Sequence, residues 1–147
     1  MNLFGMMEIS GSAMRAERVR AEVVAANMAN AETTRTEAGK PYQRQSVLLQ
    51  TGNNSFATAL KGFGLDGPVA PEGGVDVTEV VKSEAPALRR YDPTHPDADA
   101  DGYVSYPDIN PVTEMVDLMG ASRSYGLNAG AFQAEKGMLT ASLDLLK

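Results

Sequence analysis

Cysteine and tryptophan are both absent from this chain of 147 residues. Disulfides and thiolate metal sites are therefore excluded, although an absence of thiols does not settle the compartment. Histidine occurs once, as His95, between two prolines. With no second imidazole it cannot build a histidine metal site, and it reads as a turn residue, because acid–base catalysis also needs a partner and a pocket. No run of about 20 apolar residues is present, so no membrane-spanning helix is expected. Basic residues are outnumbered, 13 Lys and Arg against 19 Asp and Glu, for a net charge of −6. That balance argues against nucleic acid as a partner, since phosphate binding needs a basic surface. The apolar start MNLFGMM has no basic residues before it and breaks at Glu8, so no cleaved secretory signal is expected. The glycine-rich stretch GFGLDG lacks the lysine and hydroxyl of a phosphate loop. No catalytic motif and no cofactor site emerge.

Proline is missing from both ends. All eight prolines lie between Pro41 and Pro111. Proline removes a backbone donor and clashes with the preceding turn, so its absence permits long terminal helices. Charge divides the chain in the same way. Residues 1–50 carry 6 basic and 5 acidic side chains, residues 51–111 carry 4 and 10, and residues 112–147 carry 3 and 4. Three parts follow: a helix with an Asn-rich end over 1–40, a β-rich and loop segment over 41–110, and a C-terminal helix over 111–147 that packs on the first. The fold class is α+β, with the terminal helices pairing as a coiled-coil-like hairpin around a small β insert.

In the first part, Ile9, Ala13, Ala16, Val19, Val23 and Ala26 recur at steps of three and four, on one helical face. The helix should end near Asn27 to Asn30. The last part carries a longer stripe: Met115, Leu118, Met119, Ser122, Tyr125, Ala129, Phe132, Leu139, Leu143 and Leu146. Asn110 is placed as N-cap, Pro111 falls in the first turn, and Glu114 sits where it suits the helix dipole. The pattern predicts about 34 residues of helix, about 50 Å long. Between the helices, Tyr42 to Leu49, Val75 to Val81 and Ala87 to Tyr91 read as strands, and GYVSY is strand-like. The stretches TGNNS and GFGLDGPVAPEGG read as loops.

The run HPDADADGYVSYPD spaces Asp97, Asp99, Asp101, Gly102 and Asp108 much as a calcium-binding EF-hand loop does. A small calcium-binding module is therefore the alternative function. Against it, Pro93 and Pro96 occupy the end of the required entering helix, and Pro107 falls where the exiting helix should begin. An acidic turn whose aspartates bond their own backbone accounts for the run better.

Two helices alone make a poor monomer. The face on the first is largely alanine, and burial yields only about 25 cal/mol per Å². Gly120, Gly126, Gly130 and Gly137 each cost about 1 kcal/mol in the second. Assembly with neighbouring chains would supply the missing contacts. The expected interface comprises the two stripes together with Asn27 and Asn30.

The segments ISGSAMRAE and AANMANAETTRT resemble the opening signature of bacterial flagellar rod and hook proteins. HPDADADGYVSYPDINPVTEMVDLMGASRSY resembles the proximal rod members of that family. The resemblance covers both ends and the acidic turn, and leaves residues 50–85 unmatched. It implies an axial structural subunit without catalysis, exported through the flagellum's own type III apparatus and assembled in the periplasm. Other rod proteins and the export-gate adaptor at the rod base would be its neighbours, and its paired helices would line the rod channel. The run GLNAGAF departs from the family's larger helix formers, which puts helix continuity there in question.

Overall fold

The computed structural model describes residues 3–52 and 73–145. Most of TGNNS and GFGLDGPVAPEGG, and Leu146, lie outside these residues. The elements run α1 (Leu3–Ala29), β1 (Gln45–Thr51), β2 (Val75–Lys82), β3 (Leu88–Tyr91), β4 (Tyr103–Tyr106) and α2 (Pro111–Asp144). The α+β reading is borne out: long terminal helices flank two small sheets. β1 pairs with β2, and β3 pairs with β4.

The start of α2 and the end of α1 have visible causes. Asn110 accepts the Val112 N–H at its side-chain oxygen, 3.0 Å away, capping α2 as its sequence foretold. At the end of α1, the Asn30 side chain donates to the Ala26 carbonyl at 2.9 Å and accepts from the Thr33 hydroxyl at 3.1 Å. Such bonds satisfy groups that the last helical turn leaves open. α2 runs unbroken through Gly126 and Gly130. Two interior glycines cost about 2 kcal/mol, which a long helix packed against neighbours absorbs.

The contacts divide the chain into two compact units. One comprises residues 1–19, 49–78 and 122–147, the other 20–48 and 79–121. In the first, buried Ser10 on α1 donates to Glu135 on α2 at 3.2 Å. Ser12 donates to the Ile9 carbonyl at 2.8 Å and accepts from the Val75 N–H at 3.0 Å, which anchors the start of β2 to α1. Gly74 passes so close that an added Cβ would lie 3.0 Å from the Ser12 hydroxyl, at a φ of +112°. A side chain there meets both a crowded neighbour and an unfavourable backbone.

The second unit holds the hairpin β3–β4, antiparallel with Leu88 opposite Tyr106 and Tyr91 opposite Tyr103. Val104 of β4 is fully buried, and Ile109 and Ala121 are buried in the same unit. Tyr91 meets Tyr103 edge-on at 5.3 Å, and Arg89 and Arg90 lie over the Tyr103 and Tyr106 rings. Gly102 has a φ of +77°, and a Cβ on it would fall 2.9 Å from Tyr91 Cε2. Gly102→Ala is therefore expected to destabilise the unit by about 1–3 kcal/mol. Urea unfolding with an unchanged m-value would show this as a shifted midpoint. A midpoint equal to that of the parent would contradict it.

Candidate functional site

The most buried polar groups of the second unit form one network between α1, α2 and the approach to β1. Asn27 is fully buried and Glu114 is 1% exposed. Asn27 donates to the Gln45 carbonyl at 2.8 Å and to Glu114 Oε2 at 3.1 Å. Its own oxygen accepts from the Gln45 N–H at 2.9 Å and the Tyr42 hydroxyl at 3.2 Å. All four hydrogen-bonding positions of the amide are thereby used. Arg44 Nε approaches Glu114 Oε1 to 2.7 Å, while its NH2 lies 3.8 Å from Asp117. Arg20 reaches Asp117 from α1 at 3.9 Å. Burial raises the Tyr42 hydroxyl pKa above its ordinary value, and the Glu114 charge raises it further. Nothing here presents a reactive group to a substrate. The network joins three segments.

Along α2 the inward positions are Glu114, Ala121 and Glu135, each buried, with Leu118, Asn128, Phe132 and Leu139 half-buried. Alternating steps of four and three residues relate these positions, apart from a skipped turn at Tyr125. Of the residues proposed from sequence, Leu118, Ala129, Phe132 and Leu139 are half-buried on α2. Met115, Met119, Ser122, Tyr125 and Leu143 are exposed. On α1, Ala16 and Asn27 are buried, and Ile9, Ala13, Val19, Val23, Ala26 and Asn30 are half-buried. The apolar stripe of α2 is thus split, with Leu118, Phe132 and Leu139 on the buried line and Met115, Met119, Ser122, Tyr125 and Leu143 exposed. Glu114, placed from sequence in the first turn for the helix dipole, is also buried at the centre of the network. Its signal was available: Glu114, Ala121, Asn128 and Glu135 stand seven residues apart.

Outward in the same unit, Val112, Met115, Val116 and Met119 share one face at i, i+3, i+4 and i+7. Val112 is 69% exposed and Met119 64%.

The acidic run is a turn, not a metal loop. Asp97 accepts from the Thr34 hydroxyl at 2.8 Å and faces Arg35 at 3.7 Å. Asp99 accepts the N–H groups of Tyr103 at 2.9 Å and Asp101 at 3.0 Å, and it pairs with Arg89. Among the described residues, no three His, Cys, Asp or Glu side chains converge as a metal site. Asp97, Asp99, Asp101 and Asp108 are thus spaced in sequence but not gathered in space, and nothing supports the calcium-binding alternative. His95 accepts the Asp97 N–H at 3.1 Å, as a turn residue does.

The Tyr103 N–H, followed by Arg89 and the Asp101 N–H, holds the Asp99 carboxyl below the usual range, against opposing desolvation. A depressed folded-state pKa contributes stability that is present above the unfolded value and lost as pH falls through the folded one. The hairpin turn should accordingly loosen below about pH 4, and Asp99→Asn should remove that acid-dependent step. The Tyr103 amide resonance followed by titration tests this. An identical acid profile in the variant would count against it.

Comparisons with known proteins place the geometry. The family model described as flagella basal body rod protein matches residues 7–35, the Asn-rich half of α1 included. That described as flagellar basal body rod FlgEFG protein C-terminal matches residues 100–145, which span β4 and α2. The flagellar basal-body rod protein FlgC of Bacillus subtilis is 40% identical over 100% of both chains. FlgC of Escherichia coli O6:H1 is 37% identical over 99% of this chain and 98% of its own. FlgC of Aquifex aeolicus is 36% identical over 100% of this chain and 99% of its own. With identity at this level along the full length and both terminal helices matched, the chain belongs to the FlgC family of flagellar basal-body rod proteins, structural subunits of the rod.

Proposed function

We propose that this subunit is a proximal rod protein that polymerises through its terminal helices into the axial drive shaft of the flagellum. The observation that carries this reading is the open apolar face of α2, Val112, Met115, Val116 and Met119, on a helix that buries Glu114 and Glu135 instead. Such a face is suited to being covered by a neighbour, and repeated head-to-tail contacts that do not close produce helical tubes. Its neighbours would be further copies, other rod proteins and the export-gate adaptor at the rod base. The chain would act without catalysis or cofactor.

The route is read from the family and from the sequence. Export by the flagellar type III apparatus would bring the chain to the periplasm without a cleaved signal, and no described helix is long and apolar enough to cross a membrane. The three sequence parts would then divide the work: residues 1–40 and 111–147 form the polymer, and residues 41–110 lie outside it.

The test is a charge on the open face. Val116→Glu leaves the Asn27–Glu114 network untouched, and circular dichroism should match the parent. Covering an unpaired carboxylate costs at least about 2 kcal/mol, or about 30-fold in association. The variant should therefore be missing from isolated basal bodies, and the cells should not swim. Normal incorporation of Val116→Glu would overturn the assembly face.

A further inference from the structure

We infer that Met115 and Met119 form an oxidation-sensitive site whose conversion to methionine sulfoxide blocks the subunit from assembling, a step that rests on the assembly face proposed above. The two thioethers sit one helical turn apart on α2, 50% and 64% exposed, on the face they share with Val112 and Val116. Sulfur chemistry in this chain belongs to methionine alone, because cysteine is absent. No thiol competes for an oxidant or is available to reverse its action. Met6 and Met138 are also open, 38% and 49% exposed, but belong to the other unit, whereas Met7, Met14 and Met28 on α1 are half-buried and so less open to attack.

The chemistry balances with a peroxide as the oxidant. The thioether sulfur attacks one peroxide oxygen, the O–O bond breaks and an S–O bond forms. Sulfur loses two electrons, and the other oxygen leaves as water after proton transfer. The product is polar and chiral where the thioether was apolar and adaptable. In solution a polar group on this face is harmless, since water solvates it. Against a neighbouring subunit it must be desolvated without a designed partner, which weakens association. The site thus acts on the free subunit. Once a neighbour covers the face, the same sulfurs are shielded from the oxidant.

Three measurements on the full chain test this. Peptide mapping after hydrogen peroxide treatment should find the added oxygen on Met119 and Met115 before Met7, Met14 and Met28; a reversed order would overturn the site. Met115→Gln/Met119→Gln, a polar stand-in for the sulfoxide, should keep the parent's circular dichroism. In cells it should reduce the chain found in basal bodies at least about tenfold. Cells carrying Met115→Leu/Met119→Leu, compared with their own untreated culture, should lose less swimming under sublethal peroxide than parent cells do. Equal losses would overturn the inference. If Val116→Glu is excluded from rods while the Gln variant enters normally, the oxidation switch fails and the assembly face stands. If both enter normally, the assembly face fails with it.

Discussion

Replacing Glu114 with alanine should lower the unfolding free energy by about 3 kcal/mol, the low end of the range for breaking a buried ion pair. Glu114 is 1% exposed, with Arg44 Nε at 2.7 Å on one oxygen and Asn27 at 3.1 Å on the other. Removing the carboxylate leaves the Asn27 amide without one acceptor and Arg44 without its closest anion. The loss stays near the low end because Arg44 keeps Asp117 at 3.8 Å and the Ser46 hydroxyl at 3.3 Å. Glu114→Gln preserves the shape and one hydrogen-bonding oxygen, so its cost should be about half as large. Replacing both partners, as in Glu114→Leu/Arg44→Met, should recover much of the loss, since the desolvation of the two charges disappears with them. Because a domain of this size has a total stability of about 5–15 kcal/mol, the single alanine variant should show a clearly lower urea midpoint. A loss under about 1 kcal/mol would show that the pair is not what joins α2 to the segment before β1.

Asn27→Ala should cost about 2–4 kcal/mol, because the substitution orphans four groups together. The Gln45 N–H and carbonyl, the Tyr42 hydroxyl and Glu114 Oε2 each depend on this one amide. The readout is local as well as global: hydrogen exchange at the Gln45 amide should accelerate as the start of β1 frees itself from α1. Asn27→Asp should be worse than its small change in shape implies. It loses both donors and places a second negative charge beside Glu114. An Asn27→Asp chain as stable as the parent would refute the donor roles assigned here. Alkali tests the same network from another side. The raised Tyr42 pKa means its contribution is fully present below the ordinary value near 10 and is lost as pH rises through the folded value.

Much of the architecture was legible in the sequence. Proline confined to the middle of the chain marked the two helices, and Asn110 with Pro111 marked the start of the second to the residue. Prolines at 93, 96 and 107 weighed against an EF-hand, and the structure shows a hairpin turn in its place. Doubt over helix continuity at GLNAGAF was misplaced, because glycine lowers helix stability locally and neighbouring turns offset that cost.

The phase of α2 was only partly legible by counting apolar residues. That count selects Leu118, Phe132 and Leu139, which are half-buried on the inward line, along with the exposed Met115, Met119 and Ser122, and it passes over the buried Glu114, Ala121 and Glu135. A carboxylate is assigned to the surface by its cost of desolvation unless its partners are known. Those partners are Asn27, some 87 residues away in sequence, Arg44 at 70, and Ser10, which is 125 residues from Glu135. Local pattern therefore determined which segments are helices and strands and where they end, since propensity, capping and proline act over a few residues. Only the tertiary structure decided which face of α2 turns inward, because the pairing that makes a buried charge tolerable is made by residues far apart in the chain.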